Sequence, residues 1–162
     1  MGNAERVFVG LGANLGDAQA NVRDALRRLD EALQTRVVAV SSFYRSAPVD
    51  AGGPDYVNAV AELRTQLTPQ ALLAQLQVIE RHAGRERPYH HAPRTLDLDL
   101  LLFGERRVNS PGLVVPHPRL ALRAFVLVPL AELAPQFRLA DGRNVAQALA
   151  ELTGQRVDVI GR

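Results

Sequence analysis

Two periods organise the apolar and polar positions of this chain. Val7, Phe8 and Val9 form a short continuous apolar run, so residues 6–11 are predicted as a first, fully buried strand. The run Gly10-Leu11-Gly12-Ala13-Asn14-Leu15-Gly16-Asp17 reads as a glycine-rich turn. Across residues 18–33 the period changes to that of a helix, with Val22, Ala25, Leu26, Leu29 and Leu33 on one side and Asp17 as N-cap. Residues 37–44 read as a second strand and 45–54 as a Pro- and Gly-rich loop. Residues 56–64 read as a third strand, with Tyr56 and Asn58 on one face. Thr68-Pro69 opens a second helix to about residue 83, with Leu72, Leu73, Leu76 and Ile79 inward and Gln77 and Glu80 a turn apart.

A basic loop, 84–93, leads into Pro93-Arg94-Thr95-Leu96-Asp97-Leu98-Asp99-Leu100-Leu101-Leu102-Phe103-Gly104, a strand closed by a glycine turn. Residues 104–107 predict a tight turn or short hairpin and 109–113 a loop. Val115-Pro116-His117-Pro118-Arg119 is a rigid extended piece that holds His117 in place. Residues 120–133 are predicted helical with an interruption at Pro129. A helix near 145–152 and a short strand at 156–160 complete the chain. The order β-α-β-β-α-β plus a C-terminal extension predicts an α+β, ferredoxin-like βαββαβ sandwich, one domain over residues 1–162. Its two helices would cover one sheet face, with loops free to build a site at the other face or edge.

Composition narrows the function. With 162 residues and 47% hydrophobic content, the chain can bury one good core, and it has no 18-residue apolar run to span a membrane. Neither a membrane nor a nucleic-acid partner is expected, the latter because the net charge is only +2. Cysteine is absent, which removes disulfides, thiolate metal sites and cysteine nucleophiles and fits a cytoplasmic protein; a monomer is expected. All 19 basic residues are arginine, so any anion site must use guanidinium forks, and a P-loop lysine is impossible. The first glycine loop is G-x-G-x-x-x-G, which does not match the dinucleotide spacing.

The chemistry concentrates at Asp97 and Asp99. One leucine separates them, so in a strand both carboxylates leave on the same face, with Cα atoms roughly 6.6 Å apart. Two carboxylates this close repel, and a hard divalent cation between oxygens is the simplest remedy, Mg²⁺ or Mn²⁺ rather than zinc. Arg85, Arg87 and Arg94 lead into the pair, and Arg123 lies near the Val-Pro-His-Pro piece. Metal plus arginine clamps suits the charge on a transferring phosphoryl group. Tyr44, Tyr56 and Phe125 could stack a flat heterocycle, with Asn58 supplying donors and an acceptor. Taken by themselves, these residues also allow a metal-dependent phosphohydrolase or a non-enzymatic ligand-binding module.

The run His90-His91-Ala92-Pro93-Arg94-Thr95-Leu96-Asp97-Leu98-Asp99-Leu100-Leu101 resembles the signature of the 6-hydroxymethyl-7,8-dihydropterin pyrophosphokinase family of the folate pathway. The resemblance extends through Gly12-Ala13-Asn14-Leu15-Gly16, Ser42-Phe43-Tyr44-Arg45-Ser46, Pro54-Asp55-Tyr56-Val57-Asn58-Ala59, Val115-Pro116-His117-Pro118 and Arg123-Ala124-Phe125. It implies transfer of pyrophosphate from ATP to the hydroxymethyl group of the pterin, releasing AMP. By the resemblance, Asp97 and Asp99 would hold two Mg²⁺ ions, and Arg85 and Arg94 would match the catalytic arginines. Arg87, Arg94, His117 and Arg123 would meet the nucleotide phosphates, with Gln77, Glu80 and Leu100 also on the ATP side. The pterin would lie between Tyr56 and Phe125, bonded by Asn58 and by backbone near Ser46, Ala47 and Val49. The loops at 45–54 and 84–93 would close over both substrates. Two departures stand out: His90-His91 replaces an Arg-Trp pair of some members, and Ser110-Pro111-Gly112 lacks the basic residue that some relatives place near Gly112.

Overall fold

A computed structural model describes residues 4–48, 54–84 and 96–161. The elements run β1 (Glu5–Ala13), α1 (Ala18–Asp30), β2 (Thr35–Val40), β3 (Phe43–Ser46), β4 (Tyr56–Thr65), α2 (Pro69–Gly84) and β5 (Asp97–Phe103). After them come β6 (Val108–Ser110), β7 (Leu113–Val115), a 3₁₀ turn at Leu120–Leu122, α3 (Ala124–Leu133), α4 (Val145–Glu151) and β8 (Val157–Gly161). The expected mixed α and β architecture is present: four α-helices and an antiparallel sheet among the described residues. The sheet runs β5-β1-β4-β3-β8, with β2 also on β4, so one strand separates the two strands that each of α1 and α2 connects.

The local signals explain most element ends. Asp17 caps α1 by accepting from Ala20 N at 3.1 Å, and Thr68 Oγ1 accepts from Ala71 N at 3.1 Å at the start of α2. The first helix ends at Asp30, earlier than the apolar spacing predicts, and Leu33 lies beyond it, 68% exposed instead of inward. The expected second strand is two, broken at Ser41-Ser42, where Ser41 Oγ accepts from Val60 N and takes the place of a ladder partner. Residues 108–110 and 113–115 pair as a hairpin where a loop was expected, turning at Gly112 with φ +81°.

Two expectations are corrected on the C-terminal side. Pro129 does not interrupt the helix. The break falls at Arg123, between the 3₁₀ turn and α3, and Pro129 sits inside α3. The missing N–H there leaves Phe125's carbonyl without its helical donor, and α3 continues because Val126, Leu127, Pro129 and Leu130 are all buried. Nor is the other sheet face left to loops alone. One face packs Val7, Val9 and Leu11 against α1 and α2 through Val22, Leu29, Leu72 and Leu76. The other packs Phe8, Val60, Leu101 and Leu102 against α3 and α4 through Val126, Leu127, Leu130, Val145 and Ala148. Those later helices cover only part of their face. The uncovered part holds the site.

Candidate active site

Strand parity builds the site. Val7, Val9, Leu11 and Ala13 of β1 point to the α1/α2 core, so Phe8, Gly10 and Gly12 point to the other face. In register with Gly12 are Asp97 on β5 and Asn58 on β4, and in register with Gly10 are Asp99 and Val60. Across two strand spacings, about 10 Å, the middle strand therefore presents no side chain, and a trough opens between the acids and Asn58. Gly12 and Ala13, read as turn, belong instead to β1, as do Gly10 and Leu11, where the expected strand and turn overlap. Glycine density mimicked a turn, while the apolar alternation of Val9, Leu11 and Ala13 continued the strand. The trough floor is the functional feature that sequence reasoning missed, and that alternation was the signal that could have found it.

The trough is part of a cleft of about 340 Å³. Its walls join Asp97 and Asp99 from β5 to Ser46, Ala47, Tyr56 and Asn58, and α3 contributes Arg123 and Phe125. These are eight of the residues singled out from sequence, and the fold gathers them from four parts of the chain. Asn58 is 4% exposed, and its Nδ2 donates to Ser46 Oγ at 2.6 Å. Its Oδ1 faces the trough floor, 3.4 Å from where a Cβ on Gly12 would stand. Arg123's guanidinium carbon lies 5.5 Å from the Phe125 ring centroid, a cation–π contact that ties these two side chains together.

His117 sits at the edge of the acid pair. Its backbone N donates to Leu101 O at 2.9 Å, just beyond the two acids on the same strand. Its Nδ1 accepts from Arg119 N at 3.1 Å, which leaves the ring proton on Nε2, 4.0 Å from Asp99 Oδ1. Burial pushes the imidazole below its usual range; the Asp99 charge opposes this, and Arg123 and Arg119 add to it. At neutral pH the ring is therefore an uncharged donor. Tyr56 is pushed the other way, upward, first by burial and then by the Asp97 carboxylate, so its phenol keeps its proton.

Other expected residues stand elsewhere. Glu80 Oε2 accepts from Leu98 N at 2.9 Å, so this α2 carboxylate holds the backbone between the two acids. Gln77 is exposed, one turn earlier. Leu100 is 4% exposed with its side chain in the α1/α2 core, leaving only its backbone for a ligand to reach. Tyr44 donates its hydroxyl to Glu132 Oε1 at 2.6 Å, and the same carboxylate accepts from Ser42 N at 2.9 Å, which fastens α3 to the β2–β3 break. Glu132 was not foreseen, because its partners lie some 90 residues away. Val49, Arg85, Arg87, His90, His91 and Arg94 lie outside the described residues, as do most of the two loops expected to close.

The donor set admits a hard cation. Asp97 and Asp99 offer oxygen ligands on one face, beside glycines that leave room for a bound group. No cluster of three or more His, Cys, Asp or Glu able to hold a metal occurs among the described residues. Two carboxylates with the remaining positions left to water and substrate phosphates is how Mg²⁺ is ordinarily bound, and structural zinc is not bound so.

Comparisons with known proteins converge. The family described as 7,8-dihydro-6-hydroxymethylpterin-pyrophosphokinase (HPPK) matches residues 8–135. A 2-amino-4-hydroxy-6-hydroxymethyldihydropteridine pyrophosphokinase of Pseudomonas aeruginosa is 49% identical over 147 residues, covering 90% of this chain and 91% of that one. The protein of the same description from a Synechocystis species is 43% identical over 145 residues, 89% of this chain and 74% of its own. Among solved structures, an HPPK-DHPS in complex with substrates superposes with TM-score 0.75 at 11% identity, covering 92% of this chain and 43% of that one. The chain thus spans less than half of that longer protein, and the likeness speaks for the fold alone. No helix among the described residues is long and apolar enough to cross a membrane.

Proposed function

The chain belongs to the 7,8-dihydro-6-hydroxymethylpterin-pyrophosphokinase family, and from that premise we infer that the cleft over Asp97 and Asp99 is where its reaction takes place. That reaction is pyrophosphoryl transfer from ATP to the hydroxymethyl group of 6-hydroxymethyl-7,8-dihydropterin in folate biosynthesis. The observation that carries the assignment to this cleft is the glycine-floored trough, with two carboxylates on one wall and Asn58, Tyr56 and Phe125 on the other.

In this reading the pterin lies in the trough. Phe125 and Tyr56 supply flat apolar surfaces for the bicyclic ring, and the bare backbone of Gly10 and Gly12 lets the ring sit deep. Asn58 has given its amide protons toward Ser46, so its Oδ1 is free to accept from a ring N–H. This fixes which edge of the ring enters and aims the hydroxymethyl group toward β5. The hydroxymethyl oxygen gives up its proton to solvent and bonds to the β-phosphorus of ATP, the bond from that phosphorus to the α–β bridging oxygen breaks, and AMP leaves carrying the bridging oxygen. Asp97 and Asp99 would hold Mg²⁺, two ions by the resemblance, and these supply charge neutralisation for the triphosphate and a lower pKa for the attacking hydroxyl.

The chain's other groups act on the nucleotide side. Arg123 neutralises phosphate charge from the start of α3, and His117 Nε2–H donates beside Asp99 without adding a charge. Glu80 keeps the backbone between the two acids in place. Arg85, Arg87 and Arg94 complete the clamp, Arg85 and Arg94 as catalytic arginines, with Gln77 and the Leu100 backbone toward the nucleotide. The β-α-β-β-α-β part is read as a ferredoxin-like split β-α-β core, supported by the strand order β5-β1-β4 with β2 and β3 both paired to β4. Residues 1–162 form one pyrophosphokinase domain in this reading, a cytoplasmic monomer.

The test is direct. Mg-ATP and the hydroxymethyl pterin, incubated with the protein, should give AMP and pterin diphosphate in equal amounts, resolved by chromatography. ADP and phosphate formed without pterin would instead assign a metal-dependent phosphohydrolase.

A further inference from the structure

Arg123 and Phe125, which the start of α3 brings to the cleft, stand at a helix start with no cap of its own. Arg123 occupies the N-cap position in an extended conformation, φ −124° and ψ 114°, and makes no side-chain capping hydrogen bond. An arginine has no acceptor to offer there. The first helical N–H, that of Ala124, finds its acceptor 31 residues further along the chain, at Gln155 Oε1, 2.9 Å away. The other end of the same amide, Nε2, donates to Leu122 O at 2.9 Å. One side chain therefore holds the backbone on both sides of Arg123.

Leu120 and Ala124, 4% and 5% exposed, anchor the chain on either side of Leu122 and Arg123, and between them the bridge is what holds the backbone from outside. Leu122 is 64% exposed, so its own burial does not anchor the chain before Arg123. Gln155 is exposed as well, and its removal disturbs no core. The segment that carries it turns at Gly154, φ +79°, and enters β8, where Val157 pairs with Ser46 of β3. Within three residues, the C-terminal stretch thus joins the arginine wall of the cleft to its Ser46–Asn58 wall.

We propose that Gln155 is a positioning residue for the transfer: by bridging Leu122 and Ala124 it sets the direction in which Arg123 reaches the nucleotide. It touches no substrate. The inference rests on the reading of Arg123 as a ligand of the nucleotide phosphates. Without the bridge, the backbone at 122–124 gains rotational freedom, and the guanidinium loses part of its reach toward the acid pair. The loss falls on ATP binding, because the acids and the pterin wall are untouched. A merely structural role would lower the folded fraction, reducing apparent kcat with KM unchanged.

The experiment measures KM for ATP and kcat by AMP release, with thermal midpoints alongside. It compares the wild-type chain, Gln155→Ala, Gln155→Glu, Arg123→Ala and the double variant Arg123→Ala/Gln155→Ala. Gln155→Ala should raise KM for ATP about fivefold with kcat changed less than about twofold and the midpoint within about 2 °C. Gln155→Glu keeps the acceptor for Ala124 N and loses the donor to Leu122 O, so its KM should rise only about twofold. On the Arg123→Ala background, Gln155→Ala should add less than about twofold. If Arg123→Ala raises KM and Gln155→Ala does not, or if the two effects multiply in full, the positioning role is overturned while the arginine reading stands. If Arg123→Ala itself leaves KM for ATP unchanged, the arginine reading fails and the role of Gln155 falls with it.

Discussion

The two faces of β1 carry opposite solutions on one backbone. Toward α1 and α2 it presents Val7, Val9, Leu11 and Ala13, none more than 3% exposed, and that face is filled along its whole length. Toward α3 and α4 it presents Phe8, Gly10 and Gly12: packed at one end, bare at the other. β5 repeats the division. Leu98 and Leu100 enter the α1/α2 core, and Asp97 and Asp99 line the cleft. Because side chains alternate, a one-residue step moves from packing to chemistry. Stability and activity can therefore be assigned here by parity along two adjacent strands, and substitutions on either face can break that assignment.

The largest effect belongs to the acids. Asp97→Ala or Asp99→Ala should lower kcat about a thousandfold or more, since cation electrostatics contribute several kcal/mol to such transfers. The thermal midpoint should stay within about 2 °C of wild type, because both side chains stand on the open face and not in the core. AMP release and calorimetry on the same samples check both halves; near-normal turnover by either variant would remove the acids from the mechanism. The neighbour between them should do the reverse. Leu98 is 5% exposed in the α1/α2 core, and Leu98→Ala should cost about 2–5 kcal/mol in denaturant unfolding. Its kcat per folded molecule should stay within about threefold of wild type, because Glu80 bonds the backbone N–H, which the variant keeps.

How much of this was legible in sequence follows the range of the signals involved. The Asp97-x-Asp99 alternation, the amphipathic spacing of Leu72, Leu76 and Ile79, and the caps at Asp17 and Thr68 are local, and the fold places them as read. Gly10 and Gly12 misled because glycine marks turns by its backbone freedom, whereas here it serves by lacking a side chain between two walled strands. Leu33 was counted inward on spacing alone, although α1 had already ended. That α3 and α4 cover part of the second sheet face was not foreseen, because nothing local in their sequence says which surface they pack on. The clamps at Glu132 and Gln155 join residues 31 to 90 positions apart, so no window of sequence could show them.

Gly12→Ala tests the trough by adding one methyl group. The new Cβ would stand 3.4 Å from Asn58 Oδ1 and 3.8 Å from Tyr56 Cδ1, ordinary contacts that the fold can accept, and Gly12 is not among the glycines at positive φ. Stability should therefore change by less than about 1 kcal/mol, with a slight gain possible from the reduced entropy of the unfolded chain. The methyl group fills the floor on which the pterin lies, so KM for the pterin should rise about tenfold while KM for ATP stays within about twofold. Equal effects on both substrates would show that the floor does not separate pterin from nucleotide, and the parity assignment would lose its most specific support.

The smallest effect concerns the far side of α1, the outermost layer behind the packed face. Asp24 accepts from Arg27 at 2.7 Å and from Arg28 at 2.9 Å. The hydrogen bond from Arg28, then that from Arg27, holds its carboxyl below the usual value of 3.8, with burial opposing slightly. Since the folded carboxyl is the stronger acid, the unfolded chain binds its proton first as pH falls, and stability rises with pH across that window. The contribution is therefore complete above about pH 5 and fades as pH drops below about 4. Asp24's side chain is 44% exposed, and screening limits the contribution to about 0.5 kcal/mol. Asp24→Asn should thus differ from wild type by that small amount at pH 7 in low salt. The difference should shrink as pH falls below about 4, and likewise at pH 7 in about 1 M salt. Turnover at pH 7 should be indistinguishable from wild type, because α1 meets the sheet on the face opposite the cleft. A change in kcat for Asp24→Asn without a change in midpoint would mean that the packed face transmits to the open one, and division by parity would not be enough.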